Sequence, residues 1–240
     1  MTGGSSGIGR GIARAIAEAG ARVVVLARSA DALDETVKEF RSAGLRAGRV
    51  SADLAEHETL DRAAARVTEV FGDPDILVNA AGINLRPPLP ELKKPDWDRT
   101  IAVNLTAPFL LGQAFAPAMA ARGWGRIINV ASQQAFRAFG NSGGYGASKG
   151  GLLSLTRSQA EEWSRSGVRC NVLVPGFVPT PMTRAAASDP VRSAALAART
   201  MIGRNGEPAD FAGAAVFLAS PACDYVTGTA IFVDGGFSAT

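Results

Sequence analysis

The 240 residues are 47% hydrophobic and 20% charged, an ordinary globular composition with enough apolar matter for a large core. The formal net charge is only +3, no run of five or six like charges occurs and aromatic residues are sparse at 7%, which argues against a nucleic-acid groove. There is no basic-then-apolar leader and no unbroken apolar stretch of 18 residues, so the expectation is a soluble cytoplasmic chain with no membrane partner.

The chain opens "MTGGSSGIGRGIARAIAEAG". A glycine-rich turn that runs into an amphipathic helix normally follows a buried strand, and here only Met1 precedes it. The strict G-x-G-x-x-G fingerprint is not met, because counting from Gly7 and Gly9 puts Ile12 at the third glycine position. The pattern T-G-x-x-x-G-x-G is met through Gly3, Gly7 and Gly9. Such glycines let the backbone approach a pyrophosphate, and the helix that starts at Ile8 then offers unpaired N–H groups to it. The alternative is a glycine-rich loop in which Ser5 or Ser6 caps the helix.

"RVVVLA" (22–27) reads as a strand covered on both faces, and "RAGRVSA", "DILVNA", "GRIINVA", "VRCNVLV" and "AIFVD" follow at intervals. Segments of 3.6-residue period fill the gaps: Ile12 and Ile16 share one face, then Leu33, Val37 and Phe40, then Leu60, Ala64, Val67 and Phe71. This alternation, without a composition break, predicts an α/β fold: one doubly wound parallel sheet in a single domain, 1–240. At the end of the second strand position, Ala27 stands where an acid would bind a ribose 2′-hydroxyl, and Arg28 follows. That pair favours a 2′-phosphate, hence NADP(H) over NAD(H). The lone histidine, His57, opens a helix as a surface residue, and Cys170 and Cys223 read as buried free thiols. No metal site is expected.

Two stretches break the rhythm. Residues 83–96 are proline-rich, and residues 175–206 open with two prolines around a threonine. Both leave the carboxyl ends of strands, where ligands of open α/β sheets bind. Between them, "YGASK" puts Tyr145 and Lys149 four residues apart on one helix face, and Ser132 closes the strand "RIINVAS". Hydride transfer to a carbonyl leaves an alkoxide that needs a proton. A phenol does this near neutral pH when an adjacent ammonium lowers its pKa toward 7, a preference of roughly 4 kcal/mol. Ser132 would donate a hydrogen bond to the substrate oxygen.

With these motifs the sequence resembles the short-chain dehydrogenase/reductase family across essentially its whole length. "SADL", "NAAG", "IAVNLTA", "PGFVPT" and "VDGG" stand in the family's order and spacing. The resemblance implies a Rossmann-type sheet of order 3-2-1-4-5-6-7 and a catalytic set of Asn104, Ser132, Tyr145 and Lys149. It implies that Asp53 and Leu54 receive the adenine, that Asn79 orders the central strand and that Ala80 and Gly82 lie near the cofactor. Asn104 would hold a proton-relaying water next to Lys149, which also bonds the nicotinamide ribose. Pro175 and Gly176 would shape the turn whose Val178 backbone and Thr180 hydroxyl bind the carboxamide. Together with Gly3, Ser5, Ser6, Gly7, Ile8, Gly9 and Arg28, these residues form the expected cofactor set. Ala80 replaces the family's usual second asparagine. The family's first strand lies at the sheet centre, and burying its side chains contributes on the order of 10 kcal/mol. The expectation is therefore that the chain starts at an internal methionine, with a strand upstream.

The loop "QQAFRAFGNSGG" carries Gln133 and Arg137, and Arg86 lies in the proline-rich stretch, which suits a small-molecule sugar acid whose carboxylate meets a guanidinium. The alternative places both arginines at the surface or a subunit contact. The quoted segments resemble the family's gluconate and sugar-acid dehydrogenase branch, which intermingles with 3-oxoacyl-carrier-protein reductases, the alternative activity. A non-catalytic NADP(H) sensor would be expected to lack Tyr145 or Lys149, and this chain has both. The resemblance further implies a homotetramer or homodimer through helices corresponding to 97–121 and 144–165, where Trp163 reads as an interface anchor or a core residue.

Overall fold

The six apolar runs become six parallel strands in a computed structural model that describes residues 1–239. They are β1 (Val23–Ala27), β2 (Ala47–Ser51), β3 (Ile76–Asn79), β4 (Gly125–Val130), β5 (Val168–Pro175) and β6 (Ala230–Val233). β1 pairs with β2, in register from Val23 against Ala47. On the other side β3, β4, β5 and β6 pair in sequence, with Asn79 opposite Asn129.

The two halves meet at the first residues of the chain. Thr2 forms parallel bridges to both Leu26 and Asn79. The Thr2 N–H donates to Val78 O at 2.9 Å, the Gly3 N–H to Leu26 O at 2.8 Å, and the Leu26 N–H to Met1 O at 2.8 Å. Three residues thus occupy the central strand position and aim the glycine turn. Beneath them a cavity of about 270 Å³ separates β1 from β3, lined by Met1, Ile16, Val24, Phe71, Ile76 and Val78 among others. The Met1 amine donates to Val24 O at 2.8 Å, and burial lowers its pKa to about 5.

Helices cover both faces. On one side α1 (Gly7–Glu18) and α2 (Ala30–Ser42) bury Ile12, Ile16, Leu33 and Phe40 against Val25 and Val78. On the other, α3 (Leu60–Phe71) packs with the long helix that starts as α4 (Lys94–Ile101), passes through a π-turn (Ala102–Thr106) and continues as α5 (Ala107–Ala121). Leu60, Val67, Leu111, Phe115 and Met119 meet Leu26, Leu77 and Ile127 there, and α6 (Gly143–Trp163) adds Ala160 with half-buried Trp163. The proline-rich stretch 83–96 reads from the sequence as neither helix nor strand. Pro95 instead sits in the first turn of α4, where its missing N–H costs nothing. By length and composition alone Lys94–Ala121 could cross a membrane, but Ala107, Leu111, Phe115, Ala116 and Met119 are buried within this core.

The chain then crosses the sheet's carboxyl edge through two short helices, α7 (Arg184–Ala187) and α8 (Pro190–Ala198). It returns through α9 (Ala212–Ala219), which packs with α1.

Candidate active site

Two neighbouring cavities run along the carboxyl ends of β1, β3, β4 and β5. The first, of about 200 Å³, is lined by the expected residues Gly3, Ser6, Gly7, Ile8, Gly9, Ala80, Gly82, Ser132, Tyr145, Lys149, Pro175, Gly176, Val178 and Thr180. The second, of about 500 Å³, is lined by Gly3, Ser5, Arg28, Asp53, Leu54 and Gly82, with Ser29 beside them. Gly3 and Gly82 border both, so the two form one elongated cleft.

The turn at its centre fits a pyrophosphate. A Cβ on Gly9 would lie 2.2 Å from Gly3 O, and one on Gly3 2.7 Å from Ala81 N, so no side chain can replace either hydrogen. Gly3 and Gly7 hold φ of 67° and 53°, the left-handed region that glycine enters without a steric penalty. Ser6 occupies the N-cap of α1 with no side-chain capping bond, which leaves the first-turn N–H groups to an anion. Farther out, the Asp53 carboxylate accepts from Ala55 N at 3.0 Å and lies 3.3 Å from Arg99 Nη2, a partner the motif did not reveal. Asn79 stands apart from the cleft. It is buried inside the sheet, where its Nδ2 donates to Asn129 Oδ1 at 2.8 Å. It does not line either cavity, and its bond to Asn129 across β3 and β4 goes with the expected role of ordering the central strand.

At the deep end, Tyr145 and Lys149 project from α6 and are 8% and 4% exposed. The Lys149 Nζ lies 5.7 Å from the Tyr145 ring centre and donates to Val130 O at 2.7 Å. Burial lowers the lysine to about 8. Burial also raises the Tyr145 phenol above its ordinary value, while a hydrogen bond with Ser132 and the charge of Arg86 act in the opposite direction. The sequence predicts a phenol drawn down toward 7 by its neighbour. In the protein alone desolvation by burial is the larger effect on the phenol, and the ammonium hydrogen-bonds a backbone carbonyl. Ser132 Oγ also accepts from Gln134 N at 3.2 Å, which fixes the short turn after β4.

Asn104 lies in the π-turn between α4 and α5, a local widening of the helix common at functional sites. Its Oδ1 accepts from Ile83 N and its Nδ2 donates to Ile83 O, both at 2.9 Å, and the same amide donates to Ser148 Oγ at 3.0 Å. A Cβ on Gly82 would meet Asn104 Oδ1 at 3.4 Å and Lys149 Nζ at 3.7 Å, so both side chains border the same point of the cleft. Ser148 escaped the motif reading, although its place beside Lys149 in "YGASK" was the available signal.

Of the three expected substrate residues, two face a further cavity of about 130 Å³. Arg86 and Gln133 line it together with Asn84 and Arg192, which the sequence did not single out. Arg137 does not reach it. Its Nη2 donates to Ser238 O at 2.5 Å and ties the C-terminal turn to the loop after β4. His57 contributes nothing to the cleft, its Nε2 lying 3.2 Å from Ala102 O. Among the described residues no cluster of potential metal ligands occurs.

Residues 3–238 match the family model described as Enoyl-(Acyl carrier protein) reductase. A gluconate 5-dehydrogenase of Gluconobacter oxydans is 38% identical over 238 residues, 99% of this chain and 93% of that protein. A galactitol 2-dehydrogenase (L-tagatose-forming) of Cereibacter sphaeroides is 42% identical over 242 aligned positions, with the same coverage. Among solved structures, a gluconate 5-dehydrogenase from Burkholderia cenocepacia in complex with NADP and tartrate superposes with a TM-score of 0.94. That protein is 40% identical, and the match covers all of this chain and 94% of the other. Matches of this extent, over a Rossmann-like parallel sheet flanked by helices, show that the chain belongs to the short-chain dehydrogenase/reductase family of oxidoreductases that act on CH–OH groups.

Proposed function

We propose that the protein interconverts a hydroxy sugar acid and its keto form, of the gluconate and ketogluconate class, with NADP(H) as cofactor. The observation that carries this reading is the place of Arg86 in a cavity that adjoins the reacting end of the site. Its charge acts on the Tyr145 phenol, and with Gln133 and Asn84 it supplies polar groups to a cavity also walled by Phe139, Phe177, Met182 and Leu196. A fatty-acyl slot has no use for a guanidinium at that point, whereas a carboxylate does. The sugar-acid relatives support the same class.

When bound, the nicotinamide cofactor supplies or accepts the hydride. Tyr145 protonates the carbinol oxygen as the ketone is reduced and takes that proton back in oxidation. Ser132 donates a hydrogen bond to the same oxygen as negative charge develops there. Lys149 holds positive charge beside the phenol and stabilises the phenolate, and Asn104 pins the Ile83 backbone over the cleft. Arg28 makes no ion pair among the described residues and lines the outer cavity, which favours a 2′-phosphate and thus NADP(H) over NAD(H).

A homotetramer or homodimer goes with this reading. Phe109 on α5 and the Phe136–Phe232 pair at the β6 edge, with centroids 4.9 Å apart, are exposed apolar groups suited to a subunit contact. Cytoplasmic residence also goes with it, since Cys170 and Cys223 are buried free thiols.

The test is NADPH oxidation with a panel of ketogluconates set against acetoacetyl thioesters. Turnover of ketogluconates supports the reading. Turnover of thioesters alone rejects it in favour of 3-oxoacyl-carrier-protein reduction.

A further inference from the structure

The smaller cavity beside the catalytic end brings together two cations from distant parts of the chain. Arg86 comes from the stretch after β3, and Arg192 from the first turn of α8. Among the described residues neither forms an ion pair with a carboxylate. Arg86 is fixed by one bond, Nη2 to Gly140 O at 2.6 Å, which leaves most of its five donors unused. Burial and then the like charge of Arg192 both lower its pKa, in keeping with the two side chains lining the same cavity. Asp189, the nearest acid in sequence, is occupied as the N-cap of α8 and accepts the Arg192 backbone N–H at 3.1 Å.

Two acceptors complete the picture. Gln133 Oε1 and Asn84 Oδ1 are buried with no hydrogen-bond partner among the described residues, and both side chains border this cavity and the one beneath Tyr145. Gln133 is only 5% exposed. A buried carbonyl oxygen without a donor is costly, and hydroxyl groups of a polyol would satisfy both. The cavity of about 130 Å³ has room for about four waters. That suffices for a carboxylate and its neighbouring carbinol, while the reacting carbon extends into the adjoining space at Tyr145.

We propose that Arg192 and Arg86 form a two-guanidinium clamp for the substrate carboxylate, with Gln133 and Asn84 accepting from its hydroxyls, which makes Arg192 a specificity-determining residue that selects acids over neutral polyols. This deepens the sugar-acid reading and rests on it. Two cations held together without a counter-charge repel, and an anion bridging them removes that repulsion while forming charge-assisted bonds. Neutral sugars gain only the hydroxyl contacts.

The experiment compares wild type with Arg192→Gln and Arg192→Lys by NADPH-coupled kinetics on 5-keto-D-gluconate and on L-tagatose. Calorimetric binding of tartrate to the NADP-loaded enzyme is measured in parallel. Arg192 is exposed, so the variants are expected to keep the wild-type Tm. The expected result for Arg192→Gln is a KM for the keto acid raised about 10- to 100-fold, the scale of one charge-assisted bond, with kcat within about threefold. Tagatose kinetics should be unchanged, tartrate binding should weaken at least about tenfold, and Arg192→Lys should recover part of both losses. Wild-type values of KM and tartrate affinity in Arg192→Gln overturn the clamp and leave the sugar-acid reading standing. A wild type that reduces only thioesters overturns the sugar-acid reading. In that case tartrate binding that depends on Arg192 still supports a carboxylate clamp, and no tartrate binding overturns it.

Discussion

The Lys149 ammonium lies 5.7 Å from the centre of the Tyr145 ring, yet its hydrogen bond goes to the Val130 carbonyl at 2.7 Å. Both groups are buried, so each is pushed toward its neutral form: the phenol upward, the lysine down to about 8. In the protein alone the phenolic proton therefore stays in place, ready for donation to a developing alkoxide. The positive charge of an oxidised nicotinamide, once bound in the cleft, would shift the balance toward phenolate.

The chain has two tyrosines, and Tyr225 is fully exposed, so a Tyr225→Phe background isolates the Tyr145 phenol. An ultraviolet titration of that variant is expected to show ionisation only above about pH 10 without cofactor, and at lower pH with NADP+ added. Half-ionisation near pH 7 in the cofactor-free protein would contradict this electrostatic account.

Tyr145→Phe removes the proton donor and leaves the ring packing. The expected outcome is a kcat reduced by about 10²–10⁴, with NADPH affinity by fluorescence titration changed less than about threefold. A variant that keeps full function in cells would revive the sensor reading.

All six strands were legible because parallel strands covered on both faces are short, continuous apolar runs, and "RVVVLA" and "VRCNVLV" fall within a residue or two of β1 and β5. The pairing of Tyr145 with Lys149 in the candidate site was legible for a similar reason. Tyr145 and Lys149 are one helical turn apart, so their proximity is local. Arg137 and Arg192 show where this logic stops. Arg137 lies close to Ser132 in sequence, but its direction is set by the C-terminal turn at Ser238, about a hundred residues away. Arg192 reaches the site only because the chain folds back across the sheet edge through α7 and α8. No local pattern carries that information. The phenol's raised pKa was equally hidden, since burial depends on the whole packing around α6.

Arg28 faces the outer cavity beside Ser29 and Asp53. Arg28→Asp is expected to lower kcat/KM for NADPH about 10- to 100-fold, the scale of charge-assisted hydrogen bonds, and to raise the relative use of NADH. A wild type that already prefers NADH, or a variant with no change in the NADPH to NADH ratio, would remove Arg28 from the account.

The most direct test of the central claim follows the hydride itself. NADPH deuterated at the transferable C4 position is supplied with 5-keto-D-gluconate, and the product is analysed by mass spectrometry. The account predicts gluconate heavier by one deuterium, with the label on the new carbinol carbon, in wild type and with severely reduced yield in Tyr145→Phe. Unlabelled product, or no turnover of any keto acid by the NADP-loaded wild type, contradicts it.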